Sequence, residues 1–341
     1  MTFLKKIKTS FVYELFINYI FYHLYHFFWL YILNFKARIL YILWGKKNEY
    51  FDLNQNDKLL IKEDINFKNL ALKIKKETLP KIPELKKKIM SKEYREEMLN
   101  KNSAFGENPY AIELYDELSD ELKTEIVNFA ASKKMITTAA SYMGIFPMIT
   151  RVQVSLNIPR ENSNLRSAML WHKDLFGFKN LDFFMAVTDI NEESGPFFCL
   201  EEKIKAGVFK NFKYKQDNKI GERGKVSLEE FDKVFKNKKI IDLIGSSGTA
   251  MLLDTFSTFH RGGFCKSQDR LVLRICYQSQ DVVYDSYKKS HEYFLYDKSI
   301  KKVNIKDKFL KYLFFNNPPI IMKSLSKVLL RFYSLVEFKF K

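Results

Sequence analysis

The sequence predicts a mainly β core of the sandwich or jelly-roll type, built from short strands and flanked on both sides by helices. Three observations carry that expectation. The hydrophobic period changes near residue 150, where RVQVSLNI (151–158) begins to alternate. The apolar runs that follow are short and separated by turn signals: ESGPF (193–197), GSSG (245–248) and RGG (261–263). A length of 341 residues with 46% hydrophobic content and 32 phenylalanines is ample for one large packed domain with appendages, or for two small ones.

Taken in order, the elements read as follows. LLIK (59–62) is a first strand, and TLPKIPELKKKIMSKEYREEML (78–99) is helical. ELSDELKTEIVNFAASKK (117–134) is a helix that Ser119 can cap, with Asp120 and Glu121 suited to the positive end of its dipole. SAMLWHKD (167–174) and LDFFMAVTDI (181–190) are strand-like. Residues 201–240 are charged, with twelve Lys/Arg and seven Asp/Glu, and include Ser227-Leu-Glu-Glu230, a capping-box pattern before a short helix. They are expected as an insertion or lid. Strands resume with KIIDLI (239–244), TAMLLDTFSTFH (249–260) and DRLVLRICYQSQ (269–280).

The net charge of +17 is unevenly placed. Residues 1–48 supply +6 and residues 301–341 supply +8, which leaves +3 for the middle of the chain. A nucleic-acid-binding core keeps its charge on the folded domain, so nucleic acid is not the expected partner. Basic residues beside apolar stretches at the ends point instead to an anionic membrane surface. Residues 15–35 carry no formal charge over 21 residues, ten of them aromatic, with Glu14, Asn18, Tyr22 and His26 forming a polar stripe. That composition suits an interfacial helix, while a helix docked on the core and a true span are the other readings. The tail 301–341 reads as two basic amphipathic helices broken at Pro318-Pro319. Cys199, Cys265 and Cys276 show no metal spacing and no even disulfide set, which indicates a reducing, cytoplasmic setting, and the basic ends place the chain peripherally at the cytoplasmic membrane face.

The chemistry is expected at WHKDLFGF (171–178). Residues i and i+2 of a strand share a face, so His172 and Asp174 can reach one ion. His260 is the later histidine inside the β region and is followed by Gly262 and Gly263, which allow a tight turn. Two imidazoles and one carboxylate leave positions open for a co-substrate and oxygen on a ferrous ion. Arg270 and Arg274 project to one side of DRLVLRICYQ, and each needs an anion. A dicarboxylate would satisfy one through a bidentate clamp. For Arg274 the choice lies between a core carboxylate such as Asp254 or Asp189 and a substrate anion. Trp171 is a core or pocket-wall residue that can also touch substrate.

From about residue 140 to 280 the chain resembles the phytanoyl-CoA dioxygenase family of iron(II)- and 2-oxoglutarate-dependent oxygenases. The resemblance rests on SYMGIFPMI, WHKD, LDFFMAVTDINEESGPF, GTAMLLDTFSTFHRGG and the arginine ten residues after His260, with Tyr277 beyond it. It implies a double-stranded β-helix (a cupin-like jelly roll, α+β overall) with His172, Asp174 and His260 as iron ligands and Arg270 as the 2-oxoglutarate clamp. It further implies consumption of O2, release of succinate and CO2, and hydroxylation of a C–H bond, since Asp174 stands at the carboxylate position. After SGPF the chain departs from the family pattern and reads FCLEEKIKAG, so the substrate is not inherited. The expected organisation is residues 1–48 as a basic hydrophobic segment, 49–300 as the dioxygenase domain with a β-helix core at about 140–285, and 301–341 as the basic tail. An anionic, lipid-linked or glycan-linked small molecule is the expected substrate, and a catalytically inactive jelly roll that binds a membrane surface or a ligand is the competing reading.

Overall fold

The computed structural model describes residues 35–44, 51–53, 58–100, 109–160, 167–174, 180–201 and 226–278. Most of the stretch 15–35, the greater part of the expected lid and the whole tail 301–341 lie outside the described residues.

Helix α1 (Phe35–Trp44) precedes the first strand, β1 (Lys58–Ile61), which leads to α2 (Ile65–Thr78), α3 (Ile82–Met90) and α4 (Lys92–Asn100). Asp64 caps α2 by accepting from the backbone N–H of Asn66 at 2.9 Å and of Phe67 at 3.3 Å. The helix expected over 78–99 is broken twice. Pro80 and Pro83 lack the N–H a continuous helix needs, and a 3-10 turn fills Leu79–Lys81. Ser91 is then extended, and its Oγ accepts from Tyr94 N at 3.1 Å to start α4. Strand β2 (Ala111–Glu113) is followed by α5 (Asp120–Ala130), which Ser119 caps through Leu122 N at 3.3 Å. A separate helix, α6 (Lys133–Met143), ends at Gly144 with φ 71°, a backbone conformation that glycine adopts without strain.

The remaining elements are β3 (Met148–Asn157), β4 (Asn180–Ala186), β5 (Phe198–Leu200), α7 (Leu228–Phe235), β6 (Ile240–Asp242), β7 (Ala250–Leu253), β8 (His260–Arg261) and β9 (Arg270–Gln278). They form two antiparallel sheets, one of order β1-β7-β4-β9-β3-β2 and one of order β6-β5-β8. The outer face of the larger sheet is apolar. Leu181, Phe183 and Met185 of β4 and Leu271, Leu273 and Ile275 of β9 are buried against the helices. Phe183 meets Phe67 of α2 at 5.1 Å and Phe129 of α5 at 5.5 Å between ring centres. Helix α1 joins this layer, because Ala37 is fully buried and its carbonyl accepts from Phe146 N at 2.9 Å. Ala37 and the partly buried Tyr41 pack on the core, while Ile39 and Ile42 are exposed; the sequence groups the whole helix with the 1–48 segment. The inner face packs Phe184, Met251 and Leu253 against Cys199 and Leu243 of the smaller-sheet side.

Two segments differ from the expected strands, and both differences shape the site. SAMLWHKD is a 3-10 turn over Ser167–Met169 followed by single bridges, Trp171 to Val226 and His172 to His260. TAMLLDTFSTFH is not one strand. Asp254 Oδ1 accepts from Phe256 N at 2.9 Å and Ser257 N at 3.1 Å, a local turn that competes with continued pairing. This turn ends β7 in the larger sheet and delivers His260 to the smaller one.

Candidate metal centre

The bridge between His172 and His260 fixes their backbones to each other. His172 N donates to His260 O at 3.0 Å, and His260 N donates to His172 O at 2.9 Å. Asp174 is placed by its own N–H, which donates to Thr255 O at 2.9 Å in the turn that Asp254 creates. The side chains converge as a result. Asp174 Oδ1 lies 3.7 Å from His172 Nε2, and Asp174 Oδ2 lies 3.7 Å from His260 Nε2. These distances are too long for hydrogen bonds. One ligand atom from each of the three residues lies within 4.8 Å of the others, so the triad can hold a metal ion.

The tautomers suit that purpose. His172 Nδ1 is 2.8 Å from Leu170 O, and His260 Nδ1 is 3.1 Å from Thr258 O. A carbonyl only accepts, so each Nδ1 carries a proton and each Nε2 is turned toward Asp174. Asp174 is 8% exposed and His260 3%. Burial pushes the Asp174 carboxyl upward, but Arg274, His260, His172 and Arg151 outweigh it and hold it well below the usual carboxylate range. Burial lowers the pKa of His260, with Asp174 opposing. An ionised carboxylate is the form that a divalent cation requires of Asp174.

Arg274 reaches the same carboxylate. Its Nη2 donates to Asp174 Oδ2 at 2.7 Å, its Nε donates to Asp182 Oδ2 at 2.9 Å, and Nη2 also bonds Asp182. Neither carboxylate named from the sequence is the partner. Asp254 accepts from Tyr142, Phe256 and Ser257, while Asp189 accepts from Ser247 N at 2.8 Å. Asp182 was not singled out in the sequence. An acid inside the apolar run LDFFMAV was the signal, but only the register that sets Asp182 opposite Cys276 shows which arginine it meets.

Arg270 sits on the same face of β9, is 7% exposed, and has a buried Nη1 without a hydrogen-bond partner among the described residues. Its Nη2 would lie 3.8 Å from a Cβ placed on Gly262, two residues after His260. Gly263 serves close packing rather than a positive φ: a Cβ there would lie 2.4 Å from Pro196 O and 2.5 Å from Gly195 C. HRGG and ESGPF are therefore pressed backbone to backbone beside the site. Trp171 is 1% exposed and stacks on Phe231 of α7, centres 3.9 Å apart and planes at 9°. It anchors the described part of the insertion. Arg261, also not singled out in the sequence, lies over Phe198 at 4.1 Å and near Trp171 at 5.3 Å. The three cysteines are free and buried.

No family model matches the chain, and no curated protein matches it. Solved structures do share partial likeness. EctD from S. alaskensis with 2-oxoglutarate and 5-hydroxyectoine is 14% identical over 69% of this chain and 78% of its own, with a TM-score of 0.44. The non-heme monooxygenase ThoJ in its apo form is 12% identical over 67% of this chain and 75% of its own, TM-score 0.37. The non-heme alpha-ketoglutarate-dependent carbocyclase SnoK from nogalamycin biosynthesis is 14% identical over 51% of this chain and 64% of its own, TM-score 0.32. Among the described residues no helix is long and apolar enough to cross a membrane.

Proposed function

We propose that this chain is a non-haem Fe(II)- and 2-oxoglutarate-dependent dioxygenase on a double-stranded β-helix, with His172, Asp174 and His260 as the metal ligands and Arg270 as the co-substrate clamp. The observation that carries the reading is the meeting of two Nδ1-tethered imidazoles and one ionised carboxylate from segments far apart in the chain. Two nitrogens and one oxygen on one side of an ion suit iron(II) with open positions. The bound iron and its co-substrate would supply oxygen activation with loss of CO2, which no side chain can supply.

The protein's own residues do the rest. Arg270 places a planar fork with an unpaired Nη1 near the site, a cost in free energy that a carboxylate of 2-oxoglutarate would relieve. Leu200, Val226, Phe231 and Phe259 close over Trp171, so the described end of the insertion, Val226 and α7, shields Trp171 from water. The Lys-rich insertion and the basic ends favour an anionic small molecule, lipid-linked or glycan-linked, and a location at the cytoplasmic membrane face. Sedimentation with anionic vesicles should fall when residues 1–34 are removed, and undiminished sedimentation would refute that placement.

Anaerobic titration tests the central reading. Apo-protein given Fe(II) and then 2-oxoglutarate should develop a metal-to-ligand charge-transfer band, weakened in Arg270→Ala. A chain that takes up neither would not be this enzyme.

A further inference from the structure

The even-numbered side chains of β9 carry Arg274 into the interior, where a lone guanidinium would be costly. It meets two buried carboxylates at once. Asp182 is 1% exposed and takes both Nε and Nη2 on its Oδ2; Asp174 takes Nη2 on its own Oδ2. Among the described residues no hydrogen bond reaches Asp174 Oδ1, the oxygen that faces His172 Nε2 at 3.7 Å.

We propose that Arg274 is a positioning residue that pins Oδ2 of Asp174, so that the carboxylate turns Oδ1 to the metal, with Asp182 acting as the counter-anchor of the arginine. The inference rests on the reading of His172, Asp174 and His260 as ligands, and it adds residues that the ligand set does not contain. Three features favour it over a role as substrate contact. The guanidinium fork is already occupied by carboxylates on its Nε and Nη2 edge. The trio Arg274, Asp174 and Asp182 has a net charge of −1, which attracts a divalent cation and repels a substrate anion. An arginine can span two carboxylates with a rigid plane, whereas a lysine ammonium on a flexible stem cannot hold both in one orientation. A pinned carboxylate keeps its second oxygen from taking up a further metal position, which leaves that position to other ligands.

The test is Co(II) binding to the full-length apo-protein, followed by calorimetry and by the visible d–d absorption, with melting temperature measured in parallel. Removing Arg274 alone leaves two buried carboxylates facing each other, so the informative variant is Arg274→Gln with Asp182→Asn. It removes one charge of each sign and keeps the side-chain volumes close. The expected result is a Kd for Co(II) weaker by about 10- to 100-fold and an altered d–d spectrum. Arg274→Lys, which keeps the charge but loses the fork, should fall between the double variant and wild type. A purely structural arginine would move the melting temperature and leave the Kd and spectrum alone. A double variant that binds Co(II) within about twofold of wild type, with the same spectrum, would overturn the proposal. Should the double variant not fold, Arg274→Lys decides the question by the same two readouts. Wild-type protein that takes up no Co(II) or Fe(II) would overturn the metal reading itself, a result distinct from an unaffected variant.

Discussion

The two faces of β9 do different work with the same nine residues. Toward the helices, Leu271, Leu273, Ile275 and Tyr277 are all fully buried in the main apolar cluster, and the Tyr277 hydroxyl donates to Ala130 O at 2.8 Å. Toward the smaller sheet the same strand presents Arg270, Val272, Arg274 and Cys276. Strand alternation makes this division possible, since neighbours point to opposite sides. The outer face contributes burial at roughly 25 cal/mol per Å² of apolar surface. The inner face carries charges whose desolvation costs free energy, and it is tolerable because the outer face holds the strand in place. Stability and chemistry are adjacent in sequence but separated by the sheet.

Substitutions on the two faces should therefore fail in different ways. Asp174→Ala should abolish succinate formation while the domain stays folded, because Arg274 retains Asp182 as a partner. Succinate release at the wild-type rate would remove the basis for the iron assignment. Phe183→Ala, on the outer face, should cost about 3–5 kcal/mol of stability, since it empties a site between Phe67 and Phe129. Urea unfolding reads this directly. Metal binding by the variant should persist at temperatures where it remains folded.

A second contrast lies between Asp174 and Glu113, a carboxylate on the edge strand β2. Asp174 is held ionised by its cationic neighbours, whereas burial pushes Glu113 of β2 up to about 7, opposed by the N–H groups of Tyr115 and Val154 that its Oε1 accepts. The signs are opposite. Glu113 binds a proton more tightly in the folded chain than in the unfolded one, so its contribution is full below about 4.5 and is lost as pH rises through about 7. Asp174 contributes above the ordinary carboxylate range, and its contribution is lost in acid. Melting temperatures of wild type and Glu113→Gln should therefore converge at low pH and separate between pH 5 and 8, with the variant the more stable at pH 8. Parallel curves across that range would mean that Glu113 is ionised throughout.

Much of the inner face was legible in the sequence, because its residue types are rare and their spacing is short. WHKD, HRGG and the two arginines four apart stood out by residue type and spacing. Strand periodicity holds only for the arginines of β9, since His172 and Asp174 are placed by a single bridge and by the turn at Asp254. The partners of those residues were not legible. Whether Arg274 meets Asp182, Asp189 or Asp254 depends on a register between strands some ninety residues apart, and alternation within one strand says nothing about that. The break of 249–260 was hidden for a related reason. Asp254 looks like an ordinary strand interruption until its carboxylate is seen to gather the N–H groups of Phe256 and Ser257. The packing of helix α1 was not legible either, because an aromatic, uncharged run ahead of it dominates the composition, while one buried alanine, Ala37, ties the helix to the core.

The smallest expected effect separates the main core from the satellite cluster around Trp171. Helix α7 is eight residues long, too short to persist by propensity alone, and stands on two supports. Ser227 Oγ accepts from Glu230 N at 3.2 Å, and Phe231 stacks on Trp171. Ser227→Ala removes the first support and leaves the second, at a cost of about 1 kcal/mol confined to this helix. Amide exchange in residues 228–235 should then quicken several-fold while β4 and β9 exchange as before. Equal acceleration in all three would show that the covering helix and the main core open as one unit, and that the shielding of Trp171 is inseparable from the fold.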